Sequence, residues 1–131
     1  MSTFTARASG AYRQTELQSR TPLELVVMLY DGAVRFTTAA RDAAERRDIG
    51  ARGQAVSRAL AIVSELQSTV DLERGGEIAA SLDRLYRYVI DCLIAGSARK
   101  EVAPFDDALK VLTTLREGWT SIARAGGAEA P

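Results

Sequence analysis

Residues 23–30 read LELVVMLY, and Glu24 is the one polar residue among them. The run is too short to cross a bilayer, which takes about 20 apolar residues in succession. Projected onto a helix, it forms two neighbouring apolar ridges, whereas a surface helix usually has one apolar stripe. The second ridge must therefore be buried in the fold of the chain itself, in another copy of the chain or in a partner protein.

Capping signals precede this run and predict where its helix begins. Thr21 is a suitable N-cap, Pro22 suits the first helical position, and Glu24 completes a capping box. The pattern predicts a helix over about residues 22–46. The polar residues 1–20 before it show no periodicity and predict a flexible N-terminal arm.

Three further segments repeat apolar residues at helical spacing. Asp48 can cap the second, the glycine pair 75–76 separates the second from the third, and Pro104 opens the fourth. Glycines 126–127 predict the end of the last helix and a disordered tail beyond it. The predicted fold is all-α, an antiparallel four-helix bundle over residues 21–125. The predicted helices cover about 22–46, 50–72, 76–97 and 104–124, and the predicted tail covers 126–131.

Composition excludes several functional classes. The 131 residues include 17 basic and 17 acidic side chains, which are interleaved, so the basic surface needed to bind nucleic acid is missing. The chain has no histidine, which removes His-based catalysis and most zinc or di-iron sites. The single cysteine, Cys92, excludes a disulfide framework. No nucleotide-binding motif is found, and the N-terminus lacks the apolar segment of a signal peptide. We expect a cytoplasmic protein without catalytic residues, cofactor, metal or membrane insertion.

Surplus apolar residues outside the predicted core stripes are the candidate binding residues. Helices that are apolar over a wide face can line a groove for an amphipathic partner helix. On the third helix, the residues predicted to face the core are Ile78, Leu82, Leu85, Val89 and Cys92. The residues predicted to contact a partner are Val26, Val27 and Tyr30 on the first helix, Ile62 on the second and Tyr86 on the third.

Two alternative interpretations belong to other functional classes. In one, the extra ridge of the first helix is the seam of a homodimer and the chain is a structural or adaptor protein. In the other, the chain is a small helical enzyme of the chorismate mutase type. Such an enzyme directs cationic groups into a pocket, whereas most arginines here lie outside the apolar stripes.

Three motifs in a fixed order indicate a known family. They are PLELVVMLYDGA at residues 22–33, LERGGEIA at 72–79 and LDRLYRY at 82–88. In their order and spacing, the motifs resemble those of the FliS family of flagellar secretion chaperones. The resemblance extends from about Tyr12 to Trp119.

This resemblance implies a helical bundle that binds the disordered C-terminal segment of flagellin in the bacterial cytosol. The bound chaperone would prevent premature polymerisation, and the complex would dock on the membrane export gate of the flagellar type III apparatus. The family also implies an N-terminal cover of the client site, which Tyr12 and Leu17 match here. Without client, the chain is expected to be a monomer or a weak homodimer.

Overall fold

A computed structural model of the chain describes residues 21–129, and its side chains as far as Gly126. Within that range the chain forms four helices and no strand, which confirms the prediction of an all-α four-helix bundle. None of the helices in this range combines the length and hydropathy needed to cross a membrane. The helices are α1 (Pro22–Glu45), α2 (Ile49–Ser68), α3 (Gly76–Arg99) and α4 (Ala103–Glu129).

Neighbouring helices run in opposite directions. Helix α1 packs against α2 and α4, and α3 packs against the same two helices from the other side. Arg41, late in α1, donates from Nε to Oδ1 of Asp106 in the first turn of α4. Gly96, late in α3, lies against the ring of Phe105 in the first turn of α4. The start of α1 and the end of α4 therefore lie at the same end of the bundle.

The predicted N-caps of α1 and α2 are confirmed by their hydrogen bonds. Thr21 Oγ1 accepts from the backbone N–H of Glu24 at 3.1 Å, and Asp48 Oδ1 accepts from that of Ala51 at 3.1 Å. Each bond satisfies a backbone donor that has no partner within the first turn of its helix. Local sequence is sufficient to determine both starts.

Two helix ends differ from the sequence prediction because of local turn geometry. Helix α2 ends at Ser68 rather than near residue 72. Beyond it, Asp71 Oδ1 accepts from the backbone N–H groups of Glu73 and Arg74, a turn that competes with helical hydrogen bonding. Helix α3 continues to Arg99, and Lys100 follows it in the left-handed conformation.

Helix α4 corrects the prediction of a stop at the second glycine pair. It passes through Gly126 and Gly127 and ends at Glu129. A glycine lowers helix stability by about 1 kcal/mol, and it typically marks a helix end where the backbone turns to positive φ. Both of these glycines lie inside the helix, whereas Gly76, at the start of α3, has positive φ.

The core combines many small side chains of α1 and α2 with large side chains from all four helices. Small side chains between α1 and α2 let these two helices approach closely. Larger side chains, which include Tyr30 of α1 and Leu66 of α2, fill the rest of the core. The buried small residues of α1 and α2 include Ala33, Ala40, Ala43, Ala55 and Ala59, and the large ones of α3 and α4 are Tyr86, Leu93, Phe105 and Leu112.

Candidate functional site

The end of the bundle at which α1 begins contains an apolar cavity of about 450 Å³, here called the end cavity. All four helices contribute to its wall, together with the connection between α2 and α3. The lining residues are Val26, Leu66, Thr69, Val70, Asp71, Arg74, Gly75, Ile78, Ala79, Leu82, Tyr86 and Trp119.

Polar groups around the end cavity already have partners within the chain. Thr69 Oγ1 donates to the carbonyl of Leu66 at 2.6 Å. Arg74 Nε lies 3.8 Å from Oδ2 of Asp71. The remaining wall is mainly aliphatic and aromatic, which is the character of a site that buries apolar side chains of a ligand.

A shallow apolar groove continues from the end cavity along α3, and we call it the α3–α4 groove. Ile78 and Leu82 line both the end cavity and a neighbouring depression, which they share with Leu85. Leu85 then borders a further depression with Val111 and Leu115 of α4. From Ile78 to Leu85 the helix rises about 10 Å, at about 1.5 Å per residue. The end cavity and groove together form an elongated apolar surface, which suits a helix better than a small molecule.

Ile78 is the most exposed large apolar side chain of this surface. Its exposed fraction is 76%, although the sequence analysis placed it on the core stripe of the third helix. Leu82 and Leu85 are half-buried, and they too were assigned to the core. The structure therefore adds these three residues to the candidate site.

A hydrogen-bonded aromatic cluster forms the floor of the end cavity. The hydroxyls of Tyr30 and Tyr86 are 2.5 Å apart, and Trp119 Nε1 donates to the Tyr30 hydroxyl at 3.2 Å. The two tyrosine rings are tilted, with centroids 6.4 Å apart. Because these residues come from α1, α3 and α4, the cluster joins three helices under the candidate site.

Burial changes the acid–base properties of this cluster. Desolvation raises the pKa of Tyr30 above its ordinary value of 10.0, and the hydrogen bonds from Tyr86 and Trp119 oppose the shift. Desolvation raises the pKa of Tyr86 as well, and the hydrogen bond with Tyr30 adds to that shift. Both hydroxyls therefore remain neutral in the folded chain at a pH at which exposed tyrosines ionise, and they do not supply a base near neutral pH.

The raised tyrosine pKa values predict a loss of stability in alkali. The folded state retains protons that the unfolded state releases near pH 10, so this stabilisation is complete below pH 10 and lost as the pH rises above it. We expect the melting temperature, followed by circular dichroism, to fall above pH 10. The fall should be less steep in a double variant with Tyr30→Phe and Tyr86→Phe. If the melting temperature falls equally steeply with pH in the original chain and in the double variant, the two tyrosines do not cause the loss of stability.

The structure places two of the predicted partner-binding residues in the core. Tyr30 is fully buried, and Tyr86 has an exposed fraction of 2% and reaches only the floor of the end cavity. In this conformation neither forms part of the exposed surface, because each uses its hydroxyl in the aromatic cluster. Their position under the site was not foreseen from the sequence.

The other three predicted contacts lie in different places. Val26 is half-buried and lines the end cavity. Val27 lines a separate depression of about 330 Å³ between α1 and α4. Ile62 packs between α1 and α2, with Cδ1 3.0 Å from the position that a Cβ on Gly32 would occupy. The five residues therefore do not form one surface, and the predicted cover residues Tyr12 and Leu17 lie outside the described part of the chain.

Comparison with known proteins gives a consistent family match. The family model described as "Flagellar protein FliS" matches residues 5–126. Flagellar secretion chaperone FliS of Salmonella typhimurium is 34% identical over 91% of this chain and 92% of its own length. Flagellar secretion chaperone FliSB of Pseudomonas aeruginosa is 30% identical over 91% and 98%. The FliS chaperone of Bacillus subtilis is 29% identical over 83% and 80%.

Proposed function

Because the chain belongs to the FliS family of flagellar secretion chaperones, we propose that its client is flagellin and that it binds the C-terminal segment of that protein. The observation that carries the proposal is the end cavity with its continuation into the α3–α4 groove. A client segment that is disordered when free would fold there as an amphipathic helix. Its backbone groups would then hydrogen-bond within the helix, and its apolar face would cover the groove.

The energetics favour a broad apolar contact for such a client. Folding on binding costs about 2–5 kcal/mol or more in ordering, and it typically buries about 1,000–3,000 Å². The end cavity alone is too small for that area. The exposed or half-buried side chains of Ile78, Leu82, Leu85 and Val26 extend it along and beside α3. We therefore assign the main client contacts to these four residues.

Among the other contacts predicted from sequence, one remains a proposed direct contact and three are given an indirect role. Val27 stays a predicted contact for a client that continues over the depression between α1 and α4. Tyr30, Tyr86 and Ile62 support the site indirectly, since they hold the helices that form its floor and walls. Truncating any of these three would alter client binding through the shape of the bundle.

Residues 1–20 are proposed to cover the client site until flagellin replaces them. This part of the proposal rests on the family resemblance of Tyr12 and Leu17 and on the position of the start of α1. Val26, in the second turn of α1, lines the end cavity, so the start of α1 lies beside the site. A cover would reduce the hazard of an exposed apolar patch.

The proposed role takes place in the bacterial cytosol. By covering the segment through which flagellin polymerises, the chaperone would keep flagellin monomeric, and the complex would then deliver it to the export gate of the type III apparatus. Binding and release of this kind require differential affinity and no catalytic group.

Titration calorimetry of the full chain with the C-terminal segment of its own flagellin tests the proposal. We expect saturable one-to-one binding with a negative heat-capacity change, which is the mark of apolar burial. A variant lacking residues 1–20 should bind more tightly, because the client has no cover to displace. A peptide of scrambled sequence is the control. No binding by the folded chain at high micromolar concentration would refute flagellin as the client, and a mass that rises with chain concentration would favour the homodimer.

A further inference from the structure

Two arginines stack on one phenylalanine on the outer face of α1 and α2, away from the end cavity and the α3–α4 groove. The guanidinium carbon of Arg35 lies 4.9 Å from the centroid of the Phe36 ring, and that of Arg58 lies 5.5 Å from it. Arg35 and Phe36 belong to α1, and Arg58 belongs to α2. We refer to these three residues as the Arg–Phe–Arg cluster.

Neither guanidinium of the Arg–Phe–Arg cluster has an anionic partner in residues 21–129. Elsewhere in the bundle, Arg41, Arg87 and Arg116 each pair with an aspartate. Arg35 and Arg58 are exposed, so their N–H donors are hydrated. Two like charges are therefore held beside one ring, and no carboxylate of residues 21–129 forms an ion pair with either of them.

Stacking prepares both guanidiniums for a further interaction. Cation–π attraction keeps each guanidinium near the ring, and its N–H groups can still donate to a carboxylate. Because each side chain is already restrained by the ring, less conformational entropy is lost when an anion binds. Gly32, one turn before Phe36, keeps this part of the interface narrow, since a Cβ there would lie 3.0 Å from Ile62.

We propose that the Arg–Phe–Arg cluster is a docking surface for an acidic segment of a partner protein, with one carboxylate bound by each guanidinium. Charge complementarity favours this occupant. Two cations are too few for strong binding to nucleic acid or an anionic membrane, where affinity grows with the number of phosphates contacted. The cluster shares no residue with the end cavity or the α3–α4 groove, so this surface can be occupied while the client is bound.

Nuclear magnetic resonance titration tests this surface in the full chain. The probe is a short synthetic helical peptide with glutamate pairs one turn apart, and the control peptide has glutamine at the same positions. We expect the glutamate peptide to cause saturable shifts of the Nε–Hε signals of Arg35 and Arg58, and the glutamine peptide to cause none. A double variant with Arg35→Gln and Arg58→Gln should bind about tenfold more weakly, which is the sum expected for two exposed ion pairs.

A matched variant separates this site from general charge attraction. Arg84 and Arg99 are exposed on α3, so Arg84→Gln with Arg99→Gln changes the net charge by the same amount and should leave peptide affinity within about twofold. Phe36→Leu should give an intermediate loss, because it removes the aromatic face and keeps an apolar side chain. Equal weakening in both double variants would overturn the proposal. So would the absence of saturable shifts, or binding to phosphatidylserine vesicles without binding to the peptide.

Discussion

Replacement of Ile78 by aspartate should weaken client binding by about 10- to 100-fold and leave the melting temperature nearly unchanged. The estimate follows from the about 1.5–3 kcal/mol gained when an isoleucine side chain is fully buried. Ile78 is 76% exposed in the free chain, so the fold gains little from it, whereas a bound client would cover it. Calorimetric titration with the flagellin segment measures the first quantity, and thermal unfolding measures the second.

Ile94 offers a matched control on the same helix. It is 52% exposed and lies outside the end cavity and the α3–α4 groove. Ile94→Asp makes the same chemical change, and we expect it to alter client affinity by less than about twofold. If both variants bind the client as tightly as the original chain does, the client does not contact the apolar surface around Ile78. If Ile78→Asp unfolds the chain, Ile78 supports the core despite its exposure.

Addition of one methyl group at Gly96 should destabilise the bundle strongly. A Cβ at this position would lie 2.7 Å from two carbons of the Phe105 ring, closer than a contact between carbon atoms allows. Phe105 is fully buried, so its ring cannot move into solvent. Overpacking of this kind costs about 1–3 kcal/mol or more, and the better helix propensity of alanine recovers up to about 1 kcal/mol. We expect Gly96→Ala to lower the melting temperature by several degrees in a scan followed by circular dichroism.

A second substitution tests the assigned cause. Phe105→Leu removes the clashing ring, so Gly96→Ala should cost less stability in the Phe105→Leu background than in the unchanged chain. The coupling between the two sites can be measured in a double-mutant cycle. If the losses of stability in the two single variants simply add in the double variant, the methyl group disturbs something other than Phe105.

Local signals in the sequence were sufficient for the helix starts and for the fold class. The Thr21 and Asp48 caps depend on residues within one turn, so their chemistry is visible without tertiary structure. The predicted end of α4 was wrong. A glycine pair weakens a helix locally, but it does not determine whether the helix ends there. That choice depends on whether the chain adopts positive φ, which the residue types alone do not determine.

The surface of α3 shows why the candidate site was only partly predictable. Two apolar ridges overlap on this helix, one through Ile78 and Leu85 and the other through Ala79 and Tyr86, and each has nearly heptad spacing. The alternating spacing of four and three residues from Ile78 to Cys92 favoured the first ridge as the core. In the first half of α3 the fold buries the second ridge, since Ala79 and Tyr86 are nearly inaccessible, whereas Val89 and Cys92 of the predicted stripe are buried further along the helix. Which ridge faces inward depends on the neighbouring helices, and the pattern of one helix does not contain that information.

The tyrosines of the first and third helices were predicted as partner contacts, and the structure buries both side chains. A tyrosine has an apolar ring and a polar hydroxyl, so it suits a wet groove as well as a core with a hydrogen-bond partner. The partners of Tyr30 are Tyr86 and Trp119, which lie 56 and 89 residues away in sequence. Such a long-range cluster leaves no local signal.

The chain contains a single tryptophan, and Trp119 lines the end cavity while its indole N–H is bound to Tyr30. The tryptophan fluorescence of the protein therefore originates from the wall of the candidate site. An apolar helix filling the end cavity would remove water from the indole and shift its emission to shorter wavelength. An acidic peptide on the far face of α1 and α2 would leave that emission unchanged. The unlabelled chain thus carries an optical reporter that distinguishes its two proposed ligands.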